Sequence, residues 1–137
     1  MFGKKQAERD TSGGGRGKVY GDGEVIIRQG EPVNGMYVIQ AGFVDIIRED
    51  QGKEIPLTQL KEKDFFGEVP LFERLNQGGI GRATARAVNE ARVLTVDKKT
   101  ILRRIHEDPS LAYRILETMS RRIRQLEEDM VKLLTEK

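Results

Sequence analysis

The sequence predicts a mainly β protein, an antiparallel β-roll or jelly roll with short flanking helices and a long C-terminal helix. Three observations carry this. Between Lys18 and Asp97, short runs of β-branched and aromatic residues alternate with glycine turns at close, even spacing. No amphipathic helical stretch separates those runs as the crossovers of a parallel sheet would require. From Asp97 onward the apolar residues change to steps of three and four, the period of a helix.

The first stretch, Met1 to Gly17, is polar, glycine-rich and nearly free of large apolar groups. It has too little to bury to offset its ordering entropy and reads as a flexible tail, residues 1–17. Val25 to Ile27 is the first β-branched run, entered through Gly21-Asp22-Gly23. Met36 to Gln40 is the second, and Gly42 separates it from Phe43 to Ile47. In that third run Phe43, Asp45 and Ile47 share one face, and Val44 and Ile46 the other. Glu49-Asp50-Gln51-Gly52 has the composition of a hairpin turn leading into Ile55 to Leu60. Arg82 to Val88 and Arg92 to Val96 complete the set of expected strands.

Asp97 suits the cap of a short helix, Lys98 to His106, with Ile101, Leu102 and Ile105 as its apolar stripe. Asp108-Pro109 is a stronger start signal, a capping side chain followed by proline at the first helical position. The helix that follows runs to about Leu134. Along it Ala112, Leu116, Met119, Ile123, Leu126, Met130 and Leu133 recur with alternating steps of four and three. Such a seam predicts a parallel homodimer through this helix. Leu111 and Ile115 fall beside the seam, placed to hold the first turns against the β body. The expected organisation is therefore a tail, a β-roll with its hinge helix over residues 18–108, and a dimerisation helix over residues 109–137.

Composition removes several function classes. Lys+Arg 24 against Asp+Glu 22 leaves a formal charge of +2, which is no general nucleic-acid or membrane-surface binder. With no cysteine there are no disulfides and no thiolate chemistry, in keeping with a cytoplasmic setting. No apolar run is long enough to cross a bilayer. His106 is the only histidine and lies at the edge of a helix stripe, so neither a histidine metal cluster nor a Ser/His/Asp constellation can be assembled. Neither catalytic residues nor metal ligands are expected, and the chain is not expected to be an enzyme.

One stretch does carry chemistry. Phe65 to Ala87 holds an aromatic pair, the step Gly67-Glu68, a short apolar segment with a proline, and a glycine-rich link. It ends in a small-residue strand that begins at Arg82. Unpaired N–H groups at a helix start and a nearby guanidinium suit an anionic phosphate, and a carboxylate just before them can accept from a sugar hydroxyl. From the residues alone, the same pattern also fits ordinary turns.

The order of elements and the motifs resemble the cyclic nucleotide-binding domain, in the version that forms the sensor half of Crp/Fnr-type regulators. The likeness runs from about Tyr20 to Leu134. It rests on Gly23-Glu24-Val25-Ile26-Ile27-Arg28-Gln29-Gly30-Glu31-Pro32 with Met36 to Val44, and on Phe66-Gly67-Glu68 with Arg82-Ala83-Thr84-Ala85-Arg86-Ala87. The resemblance implies a phosphate-binding cassette in which Gly67 and Glu68 hold a ribose. It also implies a ligand, cAMP or cGMP, set among Phe66, Gly67, Glu68, Val69, Pro70, Leu71, Gly81, Arg82, Ala83 and Thr84. The long helix would cover the base. Its seam residues Leu116, Met119, Ile123, Leu126, Met130 and Leu133 would carry the response to a second copy or a separate effector protein.

Three departures accompany the likeness. Pro70 stands where the family offers a backbone N–H to the phosphate, and proline has none. A gapless match of Ala83, Ala85 and Ala87 puts Gly81, rather than Arg82, at the family's phosphate arginine. The base-covering part of the helix falls near Leu126 and Glu127, which offer no hydroxyl. The alternative reading is a degenerate fold that binds no nucleotide and serves as a dimeric interaction scaffold. The DNA-binding relatives continue into a helix-turn-helix, whereas only about three residues follow Leu134 here. No DNA binding by this chain and no membrane partner are expected.

Overall fold

A computed structural model describes residues 15–33, 35–68, 72, 79–136 of the chain. The described residues include, in order, the strands β1 Lys18–Tyr20, β2 Val25–Ile27, β3 Pro32–Val33, β4 Gly35–Asp50, β5 Lys53–Leu60, β6 Phe65–Phe66, β7 Gly79–Ile80 and β8 Thr84–Asp97, then the helices α1 Lys98–Glu107 and α2 Ser110–Thr135. All pairing among the described residues is antiparallel. One sheet runs β1-β8-β4-β5, with β2 also on β8 and β6 also on β4, and a second, two-stranded sheet joins β3 to β7. This is the mainly β roll that the spacing of the β-branched runs predicts.

The strands differ from expectation in length. Met36 to Gln40 and Phe43 to Ile47 are not separate: β4 passes through Gly42 without a break. Likewise β8 runs through Asn89, joining the two runs expected around Val88 and Arg92, and it begins at Thr84 rather than Arg82. The reason is a pair of facing irregularities. The β4–β8 register shifts between Ile39 and Ala41 and again between Ala41 and Phe43, and opposite them Asn89 has φ 57°. Bulges bend a ladder without ending it.

Gly42 makes that bend possible. Its φ is +87°, and a Cβ there would lie 2.3 Å from Glu90 O and 2.9 Å from Ala91 Cα. Gly42→Ala combines a left-handed backbone cost with overpacking against main chain, and is expected to destabilise by about 2–4 kcal/mol. Urea denaturation of the two proteins checks it, and a loss below about 1 kcal/mol would contradict the packing described.

Tyr20, Ile27, Val33, Ile39, Val44, Leu60, Phe66, Ala85, Ala87, Ala91 and Val93 form the core. The alternation read in β4 holds at Phe43 (47% exposed) and Val44 (no exposure) and breaks at Ile47, which is buried where the β4–β5 register shifts between Ile46 and Ile47. Gln51 (φ 52°) and Gly52 (φ 79°) make the two-residue turn between Asp50 and Lys53, the left-handed pair that a tight hairpin needs. On the outer face Arg86 holds Glu54 through two bonds of 3.0 and 3.2 Å. This pairing keeps the Glu54 carboxyl below its ordinary value.

Sequence reasoning missed how the chain enters the roll. Gln40 uses its side-chain amide as a strand would use a peptide group. It accepts from Gly17 N at 2.6 Å and donates to Gly15 O at 2.7 Å, while Arg92 donates to Gly17 O at 3.0 Å. A Cβ on Gly17 would sit 2.3 Å from the Val93 carbonyl, so only glycine passes here. Met1 to Gly14, the bulk of the expected tail, lie outside the described residues.

The chain divides into two compact units, residues 1–101 and 102–137. In the first, Asp97 caps α1 as expected, its Oδ1 accepting from Thr100 N at 2.7 Å. In the second, Asp108 accepts from both the backbone N–H (3.2 Å) and the hydroxyl (2.6 Å) of Ser110, which holds its carboxyl below the usual range. Ile115 is the only buried residue of α2, and Leu111 is half-buried. Of the seam, Met119 is half-buried, and Leu116, Ile123, Leu126, Met130 and Leu133 are each more than half exposed.

Candidate functional site

The cassette residues occupy the ends of short strands. Phe65 and Phe66 pair with Val38 and Tyr37, and the chain turns at Gly67, whose φ is +86°. A Cβ at Gly67 would lie 3.1 Å from both Gly35 O and Tyr37 Cδ1, and 3.5 Å from Ile27 Cδ1. The conformation and the close approach both call for glycine. Phe66 is buried and its ring stacks on Tyr37, with centroids 5.2 Å apart and planes 11° from parallel. Glu68, the next residue but one, has helical backbone and is only 7% exposed, with its Oε1 fully enclosed.

The other half of the cassette returns beside β3. Val33 faces Gly79 and Pro32 faces Ile80. Gly81 then donates to Glu31 O and accepts from Gly30 N, both at 2.8 Å. Its missing side chain points inward: a Cβ would meet Arg28 O and Ile27 Cγ2 at 3.0 Å and Val33 Cγ2 at 3.5 Å. A side chain at position 81 would crowd backbone and core, and the next residue, Arg82, is exposed.

Ile27 is therefore the residue on which the site is assembled. It is buried, it faces Ala85 across the β2–β8 pair, and its two branches contact the Gly67 and Gly81 positions. The steps Gly67-Glu68 and Gly81-Arg82, which are fourteen positions apart in the chain, converge on one isoleucine. Sequence inspection could name both glycines but had no signal for the side chain that joins them.

The remaining predicted site residues divide. Ala83 is half-buried. Thr84 is buried, and its hydroxyl accepts from Gln29 N at 3.1 Å, so it fastens β8 to the turn after β2 instead of facing outward as an open donor. Gln29 in turn exchanges two side-chain bonds with the backbone of Glu49. Val69, Pro70 and Leu71 lie outside the described residues.

A hollow of about 550 Å³ lies elsewhere, on the outer face of β4 and β5, among Asp45, Ile47, Glu54, Leu57, Gln59 and Arg86. Its guanidinium is already engaged by Glu54 and its amide by Asp45 at 2.9 Å, and it contains neither Glu68 nor Arg82. Among the described residues no group of acidic or histidine side chains is arranged to hold a metal ion, and no helix is long and apolar enough to cross a membrane.

The described strands form an antiparallel β-roll in which Gly67 is followed by the buried Glu68 and Gly81 by the exposed Arg82. The model of the cyclic nucleotide-binding domain matches residues 18–108, and the chain belongs to that family, in its Crp/Fnr-type version. The cAMP-activated global transcriptional regulator CRP of Salmonella typhimurium is 32% identical over 105 residues, covering 76% of this chain and 49% of the regulator. The chain thus spans about half the length of that relative. Among solved structures, the catabolite activator protein of Thermus thermophilus superposes with a TM-score of 0.74 at 25% identity, over 94% of this chain and 59% of that one. An EAL enzyme in its cAMP-bound form superposes with a TM-score of 0.59 at 27% identity, over 84% of this chain and 30% of the enzyme.

Proposed function

We propose that the chain is a regulatory module that binds a cyclic mononucleotide, cAMP or cGMP, and passes its occupancy to the C-terminal helix. The convergence of Gly67-Glu68 and Gly81-Arg82 on Ile27 carries this reading. Glu68 accepts from a ribose hydroxyl. Arg82, with the backbone at Ala83, faces the cyclic phosphate, and a guanidinium suits that anion because it can give two parallel charged bonds. A cAMP-activated relative and a cAMP-bound structural neighbour point to the same ligand class.

Relay requires that the ligand favour one of two states of the chain. Here the response passes through the Asp97–Asp108 segment, with a hydrogen-bonded aspartate at each end, into α2. The exposed seam of α2 pairs with a second copy, and an effector reads the dimer. Pro70 lacks the N–H that the family gives the phosphate, a neutral bond of about 1 kcal/mol, so affinity is lowered by roughly fivefold rather than abolished.

Titration calorimetry of the chain with cAMP and with cGMP tests the reading. Saturable heat from either ligand, and a rise in thermal midpoint with its concentration, is expected. No heat and no thermal shift at about millimolar ligand would overturn it and leave a ligand-free scaffold.

A further inference from the structure

Tyr37 is an aromatic residue beside the cassette, stacked on Phe66. Its backbone is held on both sides, facing Phe66 on β6 and Thr95 on β8. A residue fixed on two ladders has little freedom to move its ring. That ring makes two contacts with the cassette: its face stacks on Phe66, and its Cδ1 edge lies 3.1 Å from where a Cβ of Gly67 would be. Gly67 therefore turns over the ring edge, and Glu68 leaves that turn directly into a buried position.

We propose that Tyr37 is a positioning residue for Glu68: its ring, stacked on Phe66 and set under Gly67, holds the turn that aims the carboxylate, and so sets discrimination between a ribose and a 2′-deoxyribose ligand. The second half rests on the nucleotide-binding reading of the site. The chemistry is that of a stiff support. A stacked pair has a preferred separation and tilt, unlike two aliphatic chains, so it transmits orientation as well as bulk. Burial pushes the Tyr37 phenol up, which keeps an uncharged ring beside the cassette at ordinary pH. A carboxylate misaimed by a fraction of a hydrogen-bond length loses its bond to the sugar hydroxyl, while the phosphate contacts on the Gly81-Arg82 side are untouched.

The test compares cAMP with 2′-deoxy-cAMP by titration calorimetry on the full chain. The wild type prefers cAMP. In Tyr37→Leu the affinity for cAMP falls about tenfold while that for the deoxy ligand changes less than about threefold, so the preference collapses. Tyr37→Phe keeps the ring and retains the preference. Phe66→Leu removes the other half of the stack and reproduces the collapse, which covers the case of a Tyr37→Leu protein that does not fold. Equal weakening toward both ligands, or an intact preference in both leucine variants, overturns the proposal.

A ligand-independent arm separates this from the reading on which it rests. Amide resonances of Gly67 and Glu68 move in whichever leucine variant folds and stay in place in Tyr37→Phe. Unmoved resonances in that variant overturn the positioning role even where the wild type binds cAMP normally. A wild type that binds neither ligand overturns the nucleotide reading and the ribose half of the proposal, and the resonances then decide the positioning half by themselves.

Discussion

Glu68→Gln weakens cAMP binding by about 10- to 100-fold and leaves the fold intact. The substitution keeps the shape of a buried side chain, exposed by only 7%, while replacing a carboxylate acceptor by an amide. A hydrogen bond to a charged group contributes about 1.5–3 kcal/mol, against about 1 for a neutral pair, and loses geometry besides when an N–H of the amide faces the sugar hydroxyl. Calorimetry gives the affinity, and a thermal melt without ligand shows that the unliganded protein is unharmed. Affinity within about threefold of wild type would remove Glu68 from the ribose contact. Because Glu68 is buried beside a left-handed glycine, a less conservative change such as alanine would mix a cavity with the lost acceptor and blur the result.

Charging the seam of α2 converts the protein to a monomer. Leu116, Ile123, Leu126, Met130 and Leu133 are 57–70% exposed on the single chain, an apolar line along one side of a 26-residue helix. Covering a side chain of this size contributes about 1.5–3 kcal/mol. Ile123→Glu with Leu126→Glu removes four such side chains from a two-fold interface and brings four carboxylates together in their place. The dimer dissociation constant is expected to rise by at least about four decades. Sedimentation velocity at micromolar protein reads this directly, with Arg114→Glu, an exposed position away from the seam, as the control that stays dimeric. An unchanged sedimentation coefficient in the double variant, or a wild type that is already monomeric, would contradict the role given to the seam.

How much of this was legible before the structure follows from the range of the interactions involved. Asp97 announces its helix because a cap is a contact between residues two or three apart, and that cap forms; Asp108 bonds Ser110 from one position before the N-cap, which is Pro109. The Asp50-to-Lys53 hairpin is equally local. The Gly42 break was misread because a lone glycine in a strand pattern marks either an end or a bulge. The choice is made by the facing strand, where Asn89 supplies the matching irregularity. Thr84 has a partner that no local pattern could show: its hydroxyl accepts from Gln29, 55 positions away in the chain. Gly81 took the arginine's place in a linear match, and only the fold shows how closely Arg28 O, Ile27 and Val33 crowd that position.

By itself the sequence determined the β-roll class, the helix start at Asp97 and the heptad line on α2. All of these depend on periodicity or on neighbours within a turn of chain, where residue type and spacing decide the energy. The tertiary structure alone decided that Ile27 lies beside both Gly67 and Gly81, that position 81 leaves little room for a side chain, and that Tyr37 lies beside Gly67. Those outcomes depend on strand register and close packing between distant segments, where a shift of one residue reverses which side chains meet.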